Sequence, residues 1–259
     1  MTDINDPVHH VFEQRERAES FGSIAADYDR YRPTYPDELI VDIAARGEDV
    51  LDVGCGTGKA SRLMAGRGLH VLGVEIDPAM AEVARGHGLD VEVGSFESWD
   101  DAGRRFDIVT SAQAWHWVDP VAGARKAATV LRPGGSIVLF WNVTSFASDA
   151  DERVSAVYRE HAPQLSEQQH GGVRGRIDLY GGSLADAGFG DLEQREYPWQ
   201  RAYPRDEFTA MISTHSDVHL LPDDTRAALL AGVGAMIDDE LGGTITVEYE
   251  THTLFARLP

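Results

Sequence analysis

The sequence predicts an α/β chain built on a mostly parallel sheet with helices on both faces. Three observations point there. From residue 49 onward short apolar runs alternate with helix-like stretches. A glycine-dense loop follows the first run and opens a helix. The 259 residues, 42% hydrophobic and 25% charged, are ample for one large buried core.

The elements follow in order. The first forty residues are helical in character, with Phe12, Phe21, Ile24 and Tyr28 as apolar positions. A strand over 50–53 ends in Gly54-Cys55-Gly56-Thr57-Gly58, and a helix over 59–66 leads to a second strand at 69–74. Pro78 takes the first position of a helix over 78–85, behind an Asp77 able to cap it. Strands follow at 89–93 and 106–111, then a helix over 121–131 that stops at the turn Arg132-Pro133-Gly134-Gly135. A fifth strand covers 136–141. Beyond it the rhythm changes: helices at 149–161, 178–187, 205–214 and 223–241, a Gln-, His- and Gly-rich loop at 164–175, and alternating strands at 192–203 and 245–258.

Charge and cysteine content narrow the function classes. With 23 basic against 43 acidic residues the formal charge is −20, which repels phosphate backbones, so no nucleic-acid partner is expected. No apolar run approaches the ~20 residues of a membrane span. Residues 1–20 lack a basic-then-apolar leader pattern, so a cytoplasmic location is expected. The single cysteine, Cys55, excludes an internal disulfide framework and a multi-cysteine zinc site. His215 and His219 stand four apart, but no third ligand accompanies them, and no metal is expected.

The glycine loop carries the chemistry. Glycines there let the backbone turn sharply and approach a ligand, with helix N–H groups exposed at the strand's C-terminal edge. Glu75 ends the next strand 17 residues after Gly58, where an acid accepts the hydroxyls of a ribose. A dinucleotide fingerprint would need glycine at 59, where Lys59 stands, and no phosphate-binding Gly-Lys-Ser/Thr occurs. Asp52 would be a poor neighbour for pyrophosphate and a good one for an ammonium group.

Asp52-Val53-Gly54-Cys55-Gly56-Thr57-Gly58 resembles motif I of the class I S-adenosylmethionine-dependent methyltransferases. Glu75-x-Asp77-Pro78-x-Met80 is similar to their second-strand acid and following helix, and Leu131-Arg132-Pro133-Gly134-Gly135 to the turn before their fifth strand. Ala112-Gln113-Ala114-Trp115-His116-Trp117-x-Asp119 and Tyr31-Arg32-Pro33-x-Tyr35-Pro36 resemble a subgroup that includes trans-aconitate methyltransferase-like (methyltransferase type 11) proteins. The likeness covers roughly residues 20–145.

That resemblance implies a Rossmann-like sheet of seven strands with a helical lid: a helical cap over 1–36, a cofactor-binding core over 37–144, and a C-terminal part over 145–259 that completes the sheet and adds lid helices. It implies S-adenosylmethionine as donor and S-adenosylhomocysteine as product. Gly54, Cys55, Gly56 and Gly58 would form the loop along the methionine part, with Asp52 near its amino group. Glu75 would hold the ribose and Ile76 pack on the adenine. Ser95 stands where many members carry an aspartate, and the Phe96 amide would reach the ring. Gln113 and Ala114 would lie beside the methyl-bearing sulfur, Tyr28 in the cap over the cofactor, and Arg32 against its carboxylate. His116 is the candidate to orient the acceptor or take its proton. The lid residues Arg174, Arg176 and Trp199 are further candidates to meet an acceptor.

The expected activity is methyl transfer to a small-molecule acceptor, with a carboxylate as the leading class. Methylation of a secondary metabolite's oxygen, nitrogen or carbon, and a non-catalytic cofactor-binding regulator, stay open as alternatives.

Overall fold

The computed structural model describes residues 24–146, 148–166 and 173–259. Phe12 and Phe21, and most of the expected cap over 1–36, lie outside the described residues.

Two short helices, α1 (Ala25–Tyr31) and α2 (Asp37–Ala44), precede the first strand. Then β1 (Asp49–Val53), α3 (Lys59–Ala65), β2 (His70–Glu75), α4 (Pro78–Gly86), β3 (Asp90–Val93), β4 (Phe106–Ala112), α5 (Pro120–Val130) and β5 (Leu131–Phe146) alternate. The remainder is α6 (Ser148–His161), α7 (Pro163–Ser166), α8 (Val173–Asp186), β6 (Gly190–Pro204), α9 (Arg205–Ser213), α10 (Ser216–His219), α11 (Asp223–Leu241) and β7 (Thr244–Arg257).

All seven strands form one sheet in the order β3-β2-β1-β4-β5-β7-β6. The pairs among β3, β2, β1, β4 and β5 are parallel, while β7 runs antiparallel between β5 and β6. The strand order turns back between β1 and β4, which opens a crevice at their C-terminal ends. Apolar residues of β1 and β4 point alternately to the two faces. Leu51, Val53 and Val109 meet α5 and α8 residues such as Ala127, Ile177 and Leu184, while Val50 and Ile108 meet α2 and α3 through Leu39, Ile43 and Met64. A separate apolar cluster joins α6, α9, α10 and α11 to β6 and β7 through Tyr158, Phe208, Leu229, Ile237 and Tyr249.

Local chemistry explains most boundaries. Asp77 accepts the Ala79 and Met80 amides at 2.8 and 3.3 Å and starts α4 with Pro78 at its first position. Asp119 and Pro120 repeat the device at α5, one residue before the expected start. The turn at 132–135 is a register break inside β5: Leu131 pairs with Phe106, and Ser136 with Ile108. β5 also continues to Phe146, past the expected core boundary at 144, because β7 pairs with it as far as Phe146↔Val247. The stretch expected as a loop at 164–175 is helical at 164–166 and at 173–175, and 167–172 lie outside the described residues.

Candidate functional site

The C-terminal edge of the parallel strands holds a cavity walled mainly by five stretches of chain, with Asn142 and Ser216 added from the later part of the chain. The five are the loop after β1, the end of β2, the turn after β3, the turn after β4, and the segment from α1 to α2. Gly54, Gly56 and Gly58 all have positive φ (65°, 56° and 83°). A Cβ at Gly54 would lie 2.5 Å from that of Ala114, and one at Gly58 2.3 Å from Leu89 Cδ1. The loop therefore turns where a side chain would block both the fold and the cavity.

Glu75 is the acid facing this loop. Its Oε2 accepts the Gly56 amide at 2.7 Å and its Oε1 the Asp77 amide at 2.9 Å, so β2's last residue fixes the loop. Burial pushes its carboxyl above the ordinary range, against the pull of those amides. Across the cavity, Gln113 has φ 58°, an uncommon conformation for a residue other than glycine, fixed by its amide to Phe140 O at 2.9 Å. Its Nε2 donates to Asn142 O at 3.3 Å. Ser95 donates to Glu97 Oε2 at 2.5 Å, and Glu97 Oε1 accepts the Asp119 amide at 3.0 Å, tying the turn after β3 to the start of α5.

Trp115, His116 and Trp117 form a single 3-10 turn. Trp115 is buried against Phe96, whereas His116 and Trp117 line the cavity with their rings 4.7 Å apart. From the cap, Tyr28 and Arg32 also line it, the guanidinium 5.0 Å from the Tyr28 ring centre. Arg32 Nη2 donates to Thr214 O at 3.0 Å, while its buried Nε has no hydrogen-bond partner among the described residues.

Of the residues singled out from sequence, the structure gathers Tyr28, Arg32, Gly54, Cys55, Gly56, Glu75, Ile76, Ser95, Phe96, Gln113, Ala114 and His116 in one cavity wall. Asp52 and Gly58 stand behind it. Asp52 is fully buried, its two oxygens taken by the Ser61 hydroxyl at 2.5 Å and the Thr110 hydroxyl at 2.8 Å. Burial pushes its carboxyl up to about 6 against those two donors. Asp52 thus braces β1, β4 and α3 under the loop. The Cys55 thiol packs into the core with Ala81, Ala84 and Val91, and burial raises it well above the ordinary thiol range.

Trp199 and Arg176 do not line the cavity: Trp199 stacks on Tyr249 at 4.1 Å and donates to Thr251, and Arg176 belongs to α8. The side chain of Arg174 lies outside the described residues. His215 precedes α10 and His219 ends it, with burial and Arg32 driving the His215 imidazole well below its usual value. Among the described residues one trio has metal-ligand spacing, Glu196, Glu250 and His252 on β6 and β7, and both carboxylates already face the one imidazole.

Sequence reasoning missed Tyr35, Lys59, Glu97, Trp117, Asn142 and Ser216 in the wall. Lys59 and Glu97 had a signal, adjacency to the motifs. Asn142 and Ser216 had none, since the length of β5 and the fold of the C-terminal helices bring them in. Burial, with Arg62, Arg201 and Arg32 nearby, lowers the Lys59 ammonium to about 8, although Asp29 pulls the other way.

Residues 51–139, which run from β1 into β5, match the family described as a methyltransferase domain. An uncharacterized methyltransferase of Mycobacterium tuberculosis is 43% identical over 135 residues, 50% of this chain and 54% of that protein. The chain thus spans about half the length of the first curated relatives it matches. A provisionally named type II methyltransferase structure from Anaeromyxobacter dehalogenans superposes with TM-score 0.67 at 24% identity, over 88% of this chain and 99% of that one. The Haemonchus contortus phosphoethanolamine N-methyltransferase 2, solved with S-adenosyl-L-methionine, gives TM-score 0.52 at 16% identity, over 100% of this chain and 61% of that one. The matched stretch carries the glycine loop, the β2 acid and the β4 turn, so the part of the chain that walls most of the cavity is similar to a methyltransferase domain.

Proposed function

We propose that this chain binds S-adenosylmethionine in the cavity and transfers its methyl group to a small-molecule acceptor. The observation that carries the reading is the contact of Gly56 with Glu75, a glycine-rich loop held by a buried acid at the sheet's switch point. Such a cradle suits a nucleoside with free ribose hydroxyls. The sequence holds no Gly-Lys-Ser/Thr phosphate loop.

In this reading Glu75 takes the ribose hydroxyls and Ile76 packs on the adenine. Ser95 and the Phe96 amide meet the ring edge, with Glu97 orienting the Ser95 hydroxyl. Gly54 and Gly56 line the amino-acid part, and Arg32, whose Nε is buried without a partner among the described residues, receives its carboxylate. Asp52 acts one layer below, holding the loop. When bound, S-adenosylmethionine supplies an electrophilic methyl on a sulfonium, displaced in line to leave S-adenosylhomocysteine.

Gln113, Ala114, His116 and Trp117 face the position an acceptor would occupy. The wall orients the nucleophile and excludes water. A carboxylate nucleophile needs no base, and it is our leading acceptor class; Lys59 adds a cation to the cap side of the cavity beside the Arg32 assigned to the cofactor. Where the nucleophile carries a proton, His116 takes it. We assign the described residues 24–36 to the cap, 37–146 to the cofactor-binding core, so that β5 stays whole, and the described residues beyond to the part completing the sheet, with the cluster of α6, α9, α10 and α11 as the lid; Ser216 is its contribution to the wall.

Incubation of the protein with methyl-labelled donor and a metabolite extract tests this. Base-labile label on a small molecule is expected. Base-stable label points to oxygen, nitrogen or carbon methylation instead, and donor binding without transfer to any acceptor overturns the enzymatic reading.

A further inference from the structure

We propose that Asp29 is a positioning residue for this site: it fastens α1 over the glycine loop and so sets Tyr28 and Arg32 in the cavity wall. The inference rests on the cofactor reading above.

A seven-residue helix is too short to be stable by its own hydrogen bonds. α1 has one buried residue, Ala25, and its N-terminus has no side-chain cap. Contacts outside the helix must hold it: Tyr31 packs against the lid cluster, and the polar ties to the core helices converge on Asp29. Its Oδ1 accepts Arg62 Nη2 of α3 at 2.6 Å. Its Oδ2 meets His87 Nε2, the residue that ends α4, at 2.9 Å. Its main-chain carbonyl accepts Lys59 Nζ, at the first position of α3, at 2.6 Å. One residue thus ties α1 to two core helices, and both tied positions on α3 lie in the first turn after the glycine loop.

Asp29 is mostly buried, so these are bonds in a poorly solvated place. Burial alone would raise its carboxyl. The hydrogen bond from His87 and the charges of Arg62 and His87 outweigh that and hold it below the ordinary range. While Asp29 grips α3 and α4, its neighbour Tyr28 and the C-terminal cap residue Arg32 line the cavity. Arg32 continues the tie to the far side through Thr214 O. Loosening Asp29 therefore releases both wall residues together.

The test is titration of the full chain with S-adenosylhomocysteine, beside amide hydrogen exchange of residues 25–31 without ligand. Asp29→Asn is expected to raise Kd about tenfold, the worth of one charge-assisted hydrogen bond, and to speed exchange in α1 while the melting temperature stays within a few degrees. Arg62→Gln with His87→Gln, which cuts the same ties from the core side, is expected to do likewise. Asp29→Asn combined with Arg32→Ala is expected to be far less than multiplicative, because one acts through the other. Unchanged exchange and unchanged Kd in Asp29→Asn, or full multiplicativity, would overturn the proposal. A wild-type chain that binds no S-adenosylhomocysteine overturns the cofactor reading instead, and the exchange rates then decide whether Asp29 holds α1.

Discussion

Gly54 and Ala114 meet across the top of the sheet with no room for a side chain between them: a Cβ on Gly54 would stand 2.5 Å from that of Ala114. The loop after β1 and the turn after β4 are thereby locked to each other, and the cavity lies in the angle they make.

Gly54→Ala should therefore fail twice, through strain at φ 65° and through the clash. A loss of about 1–3 kcal/mol in urea denaturation is expected, with S-adenosylhomocysteine affinity falling more than about a hundredfold. Gly86→Ala, where nothing lies within 4 Å of the added carbon, is the control and should be silent. Equal behaviour of the two variants would contradict the account of the loop.

Asp52 makes a prediction about pH. Its folded-state carboxyl sits at about 6, above the ordinary 3.8, because it is buried. Between those values the folded chain holds a proton that the unfolded chain has lost. This residue's contribution therefore falls as pH rises from about 4 to about 6, by roughly 2–3 kcal/mol, and is level above that. The stability difference between wild type and Asp52→Asn, measured by denaturant titration across pH 4–8, should change by that amount in favour of the variant as pH rises. Parallel curves would show that the carboxyl titrates normally.

His116 lines the wall while its neighbour Trp115 anchors the turn in the core. Replacing His116 by Ala should leave S-adenosylhomocysteine affinity within about threefold and, for an acceptor whose nucleophile carries a proton, lower kcat/KM about a hundredfold or more. An unchanged kcat/KM would remove His116 from the chemistry.

Cys55 lies in the loop but turns its thiol into the core, where burial raises it well above the usual range. Maleimide labelling of the native chain should be at least about a hundredfold slower than of the denatured chain at pH 7–8. Rapid native labelling would mean that the loop opens in solution.

The parts of the site legible in the sequence are those whose chemistry is local. Positive-φ glycines, the acid closing β2 and the proline-led helix behind Asp77 are each written within a few residues. The Asp119-Pro120 start of α5 uses the same code and was readable one residue earlier than expected. What stayed hidden depends on distant partners. Asp52 reads as a loop acid facing a ligand until Thr110, a strand away, and Ser61 claim both its oxygens. Trp199 reads as a free aromatic until Tyr249 stacks on it. Asn142 reaches the cavity because β7 extends the pairing of β5 beyond the apolar run that marked the strand.

The most direct test of the whole account is equilibrium binding of S-adenosylhomocysteine and NADH to wild type and Glu75→Ala. The account predicts micromolar uptake of S-adenosylhomocysteine by wild type, at least about a hundredfold weaker in the variant, and no uptake of NADH by either. Retention of NADH with indifference to S-adenosylhomocysteine would contradict it.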